Sequence, residues 1–146
     1  MMEFSVSIMT EGDLPGAAAL EGEVFHEPWS ENALRMLLQP NAFGIVCRAG
    51  DTVAAYGGMI CVLDEGQITN IGTLPQFRRL GLARRTLEAM LEEAKRRELT
   101  FVTLEVRESN SAAIGLYEKL GFSAIGKRQG FYRFPTEAAV IMEKKL

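Results

Sequence analysis

The stretch Arg78-Arg79-Leu80-Gly81-Leu82-Ala83-Arg84 decides the reading of this sequence, because it joins the end of a strand pattern to the start of the strongest helical one. Over residues 80–98, Leu82, Leu87, Met90, Leu91 and Ala94 form one apolar stripe at helical spacing, so the stretch stands at a helix N-terminus. The first amides of a helix have no intrahelical acceptor, and the helix dipole adds partial positive charge at that end. Gly81 and Ala83 carry little or no side chain, which leaves the main chain open to a phosphate, and Arg79 and Arg84 add charge from either side. Alone, an RxxGxA pattern specifies only anion binding at a helix start. Neither a Walker loop, GxxxxGK[ST], nor a dinucleotide fingerprint, GxGxxG, occurs, which disfavours ATPases and dehydrogenases.

Upstream, Phe4, Val6 and Ile8 alternate with Glu3, Ser5 and Ser7 at the period of a half-buried strand. Thr10-Glu11-Gly12-Asp13 supplies a turn and a helix start, and a short helix follows over residues 17–23, with Pro15 tolerated in its first turn. His26-Glu27-Pro28-Trp29 breaks it, and Ser30 caps a second helix over residues 31–38 that Pro40 stops. Strands are predicted over 43–48, 53–63 and 67–73, with turns at Ala49-Gly50-Asp51 and Asp64-Glu65-Gly66. Gly72 sits where a strand would carry a side chain and predicts a bulge or a close backbone approach. Downstream come a buried strand over 101–106 and a helix capped by Ser109-Asn110 that carries Ala113, Leu116, Tyr117 and Leu120 and ends at Gly121. Strands at 122–126 and 138–143 complete the set. The order is β-α-α-β-β-β-α-β-α-β-β, an α+β chain without repeats.

The 146 residues, 47% of them hydrophobic, suffice for one continuous core, so a single domain is expected. Every apolar run is broken well before the roughly 18 residues a membrane span needs, and the amino terminus, with Glu3, lacks a basic leader; a soluble cytoplasmic protein is expected, with no membrane partner. A net charge of −3 argues against a general nucleic-acid binder. The basic residues gather at Arg78, Arg79, Arg84 and Arg85, then at Lys95-Arg96-Arg97, and the second group reads as a solvated helix face. Cys47 and Cys61 lie in apolar strands, as buried free thiols do, and with one histidine and no CxxC pair no metal site is predicted.

Residues 70–91, then Leu104-Glu105-Val106-Arg107-Glu108-Ser109-Asn110, then Ala112-Ala113-Ile114-Gly115-Leu116-Tyr117-Glu118-Lys119-Leu120-Gly121-Phe122, together resemble the GNAT superfamily of acetyltransferases. Within it they look most like the RimI type, which acetylates the amino-terminal alanine of a small-subunit ribosomal protein. The similarity spans nearly the whole chain, including Pro28-Trp29-Ser30 and Tyr132. It implies the GNAT acyl-CoA N-acyltransferase fold over residues 1–146: α/β/α layers around a mixed, mostly antiparallel sheet of about seven strands, with four helices. It also implies acetyl-CoA as co-substrate, its pyrophosphate wrapped by Arg79, Leu80, Gly81, Leu82, Ala83 and Arg84. Ile71, Gly72 and Thr73, on a strand splayed from its neighbour, would pair with the pantetheine arm, and Asn110 would touch CoA. Glu105 matches the family's general base and Tyr117 its general acid. The chain departs from the family at Thr136-Glu137-Ala138-Ala139, which lacks an aspartate, and at Gly72-Thr73-Leu74-Pro75, where alanine and Val-Asp-Pro or Val-His-Pro are more usual.

The residue types suit the reaction so implied. An attacking amine must lose a proton and a departing thiolate must gain one, so an acceptor and a donor are needed on opposite sides of the reacting carbon. A carboxylate supplies the first, and a phenol, with a pKa near 10, supplies the second. An α-amine, with a pKa near 8 against about 10.4 for lysine, asks less of the base. Each residue also has a plainer reading: Glu105 as a solvent-facing strand residue, Tyr117 as core, and Asn110 as a helix cap, which is compatible with touching CoA. For the acceptor, the α-amine of a ribosomal protein leads, with lysine or a small amine as the alternative. A non-catalytic acyl-CoA-binding module is the reading from another class.

Overall fold

Strands and helices follow one another in the predicted order, in a computed structural model that describes residues 3–146. The strands are β1 (Phe4–Ile8), β2 (Ala42–Ala49), β3 (Thr52–Val62), β4 (Glu65–Thr73), β5 (Phe101–Arg107), β6 (Ser123–Tyr132) and β7 (Glu137–Lys145). The α-helices are α1 (Leu14–Val24), α2 (Glu31–Leu34), α3 (Leu82–Arg96) and α4 (Ser111–Lys119). One sheet results, in the order β1-β2-β3-β4-β5-β7-β6, antiparallel except between β4 and β5. No helix among the described residues is long and apolar enough to cross a membrane.

Helices cover both faces. The predicted stripe of α3 is buried throughout; Leu87, Met90, Leu91 and Ala94 pack with Phe43, Ile45 and Met59 of β2 and β3, and with Leu104 and Val106 of β5. On the opposite face, Leu14, Ala17 and Leu20 of α1, with Leu34 and Leu37, close over Val46 and Tyr56. Each fully buried leucine or methionine contributes about 1.5–3 kcal/mol, so these two clusters set which face each helix takes. The layered α+β architecture is the one expected.

Three local features differ from expectation for identifiable reasons. Ser30 does cap α2, its hydroxyl accepting from Ala33 N at 3.1 Å. The helix nevertheless tightens to 3-10 geometry over Arg35–Leu38, because Pro40 forces Gln39 to extended backbone (φ −75°, ψ 156°). β6 runs on to Tyr132, well past residue 126; almost every one of its side chains is exposed, so no apolar alternation marks it in the sequence, and pairing with β7 carries it. Arg97 belongs to the interior edge rather than to a solvated face. Its guanidinium lies 4.6 Å over the Phe43 ring and donates to Ala42 O at 3.1 Å, fastening α3 to β2.

The feature that positions the site is a parting of strands. Parallel pairing of β4 and β5 covers only Glu65↔Phe101, Gly66↔Val102 and Gln67↔Thr103. Beyond that point β5 stays with β7 and β4 with β3, so residues 68–73 present one backbone edge to a widening gap. The bulge falls at Thr69-Asn70, two residues before Gly72, where the β3–β4 register shifts between Gly57 and Met59. Gly72 itself meets the other expectation in altered form, since side chains rather than backbone approach it: a Cβ there would lie 3.0 Å from Leu20 Cδ2 and 3.2 Å from Phe25 Cε2.

Candidate active site

At the head of α3, Gly81 adopts left-handed backbone (φ +77°), which brings the chain into the helix without strain. The first intrahelical bond runs from Arg85 N to Gly81 O at 3.1 Å, so the amides of Leu82, Ala83 and Arg84 have no acceptor within the helix. A cavity of about 220 Å³ opens over them, lined among others by Thr73, Arg78, Arg79, Gly81, Ala83 and Arg84. Free amides, the helix dipole and arginines thus converge on a space suited to an anion. Arg84 is shared with Glu88, 3.6 Å away on the next turn. Leu82 lends its amide while its side chain is buried against Ala54 and Ala55. Leu80 is half exposed and lines neither this cavity nor the larger one beside it.

The larger cavity, about 1070 Å³, occupies the gap between β4 and β5 and brings together Ile71, Gly72, Thr73, Glu105, Asn110 and Tyr117. Leu104 and Val106 pack on the α3 side, so strand alternation turns Glu105 to the other face. Its Oε2 lies 3.7 Å from Arg128 Nη1 on β6. Tyr117 packs edge-on against Phe122, with centroids 5.8 Å apart, and burial together with the neighbouring Tyr132 phenol pushes its pKa up to about 12. Tyr132 is likewise pushed up to about 12, by burial and by the charges of Glu105 and Glu137, against the opposing pull of Arg107. Asn110 caps α4, its Oδ1 accepting from Ala113 N at 3.2 Å, which leaves its NH₂ group for another partner.

Several residues of this site were not singled out from sequence. Arg107 lies 4.6 Å over the Tyr132 ring and donates to Pro135 O at 2.9 Å and Arg133 O at 2.6 Å, so β5 holds the β6–β7 hairpin over the cavity. Glu137 anchors the same corner. It accepts from Ser109 N at 2.5 Å and from Arg107 at 3.2 Å, and these bonds hold its carboxyl below the usual range. Across the mouth, Glu27 of the α1–α2 connection meets Arg133 of the hairpin at 2.8 Å, and His26 lies 6.3 Å from Phe134. Beneath that connection Glu21 is fully buried and accepts from Trp29 N and Asn70 Nδ2, each at 2.9 Å, and from the Tyr56 hydroxyl. Its signal was a carboxylate on the apolar stripe of α1, three and seven residues after Ala18 and Leu14.

The model of the Acetyltransferase (GNAT) family matches residues 13–122. The [ribosomal protein bS18]-alanine N-acetyltransferase of Salmonella typhimurium is 38% identical over 142 residues, which are 94% of this chain and 95% of that protein. The crystal structure of the ribosomal-protein-S18-alanine N-acetyltransferase from Escherichia coli superposes with a TM-score of 0.91 at 33% identity, covering 98% of this chain and 94% of that one. The fold is shared further afield, with the PaiA N-acetyltransferase of Thermoplasma acidophilum, solved with coenzyme A, at a TM-score of 0.79 and 16% identity over 99% of this chain and 100% of that one. The architecture of the parted strands and the extent of these matches agree: the chain belongs to the acetyltransferase (GNAT) family and is an N-acetyltransferase.

Proposed function

We propose that this enzyme transfers an acetyl group from acetyl-CoA to the α-amine of a protein, the amino-terminal alanine of ribosomal protein bS18. The observation that carries this reading is the single gap between β4 and β5, lined by Glu105 on one wall and Ile71 to Thr73 on the other and continuing to the free amides of α3. The relatives named for bS18-alanine acetylation match over nearly their whole length, which favours the same acceptor here. Ribosomes make the cytoplasm its place of work, and the chain acts as one domain.

The residues present fit CoA. An anion is accommodated at the amides of residues 82–84 beside Arg79 and Arg84, Thr73 borders both cavities, and the unpaired edge of residues 68–73 has main-chain groups to offer an extended amide arm. Acetyl-CoA supplies the acyl group as a thioester. Glu105 accepts the proton that the attacking amine gives up, directly or through a water, and Arg128 Nη1 lies 3.7 Å from its Oε2. Tyr117, with its pKa near 12, stays protonated throughout the working range and donates its hydroxyl hydrogen toward the leaving sulfur. Backbone amides near Gly72 and Thr73 polarise the thioester oxygen. Tyr132 and the Glu27–Arg133 bridge border the mouth through which the acceptor enters.

The test is a competition. The enzyme is given acetyl-CoA with the amino-terminal hexapeptide of bS18, a lysine peptide with a blocked terminus, and a small primary amine, and products are read by mass spectrometry. Acetylation of the hexapeptide at its α-amine above the others is expected. No transfer to it above background rejects the ribosomal acceptor, and preference for lysine moves the chemistry to side-chain amines.

A further inference from the structure

β4 carries one residue more than β3 between Ile68 and Ile71, and this changes which way two side chains face. Pairing runs Met59↔Ile68 and Gly57↔Ile71, so Thr69 and Asn70 stand together opposite Gly58. Ile68 and Ile71 both pack into the α3 core. Thr69 Oγ1 lies on the α2 side, only 2.5 Å from where a Cβ on Gly58 would sit and beside Leu37, and Asn70 Nδ2 reaches Glu21 on α1. Two consecutive side chains therefore share a face; an unbulged strand would send one of them to the other side.

Glu21 makes use of that placement. Both its oxygens are satisfied by donors, Trp29 N on Oε1 and Asn70 Nδ2 with the Tyr56 hydroxyl on Oε2. A carboxylate only accepts, so it selects the NH₂ side of the Asn70 amide and turns the amide oxygen away from itself. Asn70 lines the large cavity on the splayed half of β4, beside Ile71 and Gly72, and none of the hydrogen bonds among the described residues ends on its Oδ1.

We infer that Asn70 contacts the acceptor amine, its Oδ1 taking one N–H, and that Glu21 is the positioning residue that sets the polarity of the Asn70 amide. This rests on reading the gap as a site of amine acetylation. A primary amine poised to react points its lone pair at the acyl carbon, and its N–H groups then need acceptors. Glu105 takes the hydrogen that leaves; Asn70 takes one that stays and so fixes the direction of the lone pair. The α1–α2 connection is tied to the same carboxylate through Trp29 N, so the wall of the groove and the amine contact are aligned by one group.

The experiment assays variants on whichever amine, from a panel of N-terminal peptides, lysine peptides and small amines, the wild type acetylates fastest. N70L removes the oxygen at nearly constant size, and N70S replaces it should N70L not fold. E21Q offers Asn70 an NH₂ group, which turns the Asn70 amide over and presents a donor to the amine. Y56F removes a different donor to the same carboxylate and leaves the Asn70 amide as it is. N70L and E21Q are expected to lower kcat/KM for the amine about tenfold or more, with the acetyl-CoA dissociation constant changed by less than about twofold. The double variant costs no more than N70L alone, since Glu21 acts through Asn70. Y56F lowers Tm but not kcat/KM. The inference is overturned if N70L keeps wild-type kcat/KM, if E21Q weakens amine and acetyl-CoA binding together, or if the double variant is additive. A panel in which the wild type ignores the bS18 peptide but acetylates another amine rejects only the ribosomal reading; one in which it acetylates no amine rejects both.

Discussion

The proposed anion end of the cleft comes from consecutive residues, 78–84 in one loop and helix start, whereas the proposed acceptor end draws on α1, β4, β5, α4 and the β6–β7 hairpin. The first is mostly backbone: a left-handed Gly81 and three amides without intrahelical acceptors. The second is mostly side chains, held by bonds that span long separations in the chain, Glu21 to Asn70 and Arg107 to the carbonyls of Arg133 and Pro135. A backbone site tolerates changes in the side chains around it and fails when the conformation fails. A side-chain site fails one contact at a time, and each failure falls on a different kinetic constant.

Substitutions at the two ends should therefore separate cleanly. At the acceptor end, E105Q is expected to lower kcat about 10²–10⁴-fold with acetyl-CoA affinity unchanged, by steady-state kinetics and equilibrium binding; a normal kcat removes Glu105 from the mechanism. Y117F should cost about 10²-fold in kcat, the lower end of the same range. Because burial raises the Tyr117 pKa, its proton is retained as the pH passes the value of a free phenol and is lost only near 12, so the wild-type rate should hold through pH 10; a basic limb there that disappears in Y117F would contradict the shift. At the anion end, G81V forces a β-branched residue to φ +77°, a strain of about 1–2 kcal/mol, and is expected to weaken acetyl-CoA binding about tenfold with little change in kcat at saturation. R133Q breaks the exposed bridge to Glu27 and should shift stability by less than about 0.5 kcal/mol while raising the acceptor KM a few-fold. An equal effect of R133Q on both substrates would blur the division between the two ends.

The same division explains what was legible. The loop at residues 78–84 is legible because the features that make it a candidate anion site, a small-residue loop and the apolar stripe that follows, are contiguous in the chain. Glu105, Asn110 and Tyr117 were found through the order of their motifs, and they do line one cavity. Leu80, expected in the loop with residues 79–84, has a half-exposed side chain and lines neither cavity. Glu21 passed unnoticed as one acid in a short helix, and β6 past residue 126 because an exposed strand has no hydrophobic period to read.

The sequence thus carried the element order, the faces of α3 and the position of the anion loop, all of which depend on periodicity and local backbone chemistry. The parting of β4 from β5, the bulge that turns Asn70 toward α1, and the meeting of Glu105, Tyr117 and Tyr132 in one space were decided by tertiary structure. They depend on strand register and on side chains brought together from distant parts of the chain, and neither leaves a local pattern.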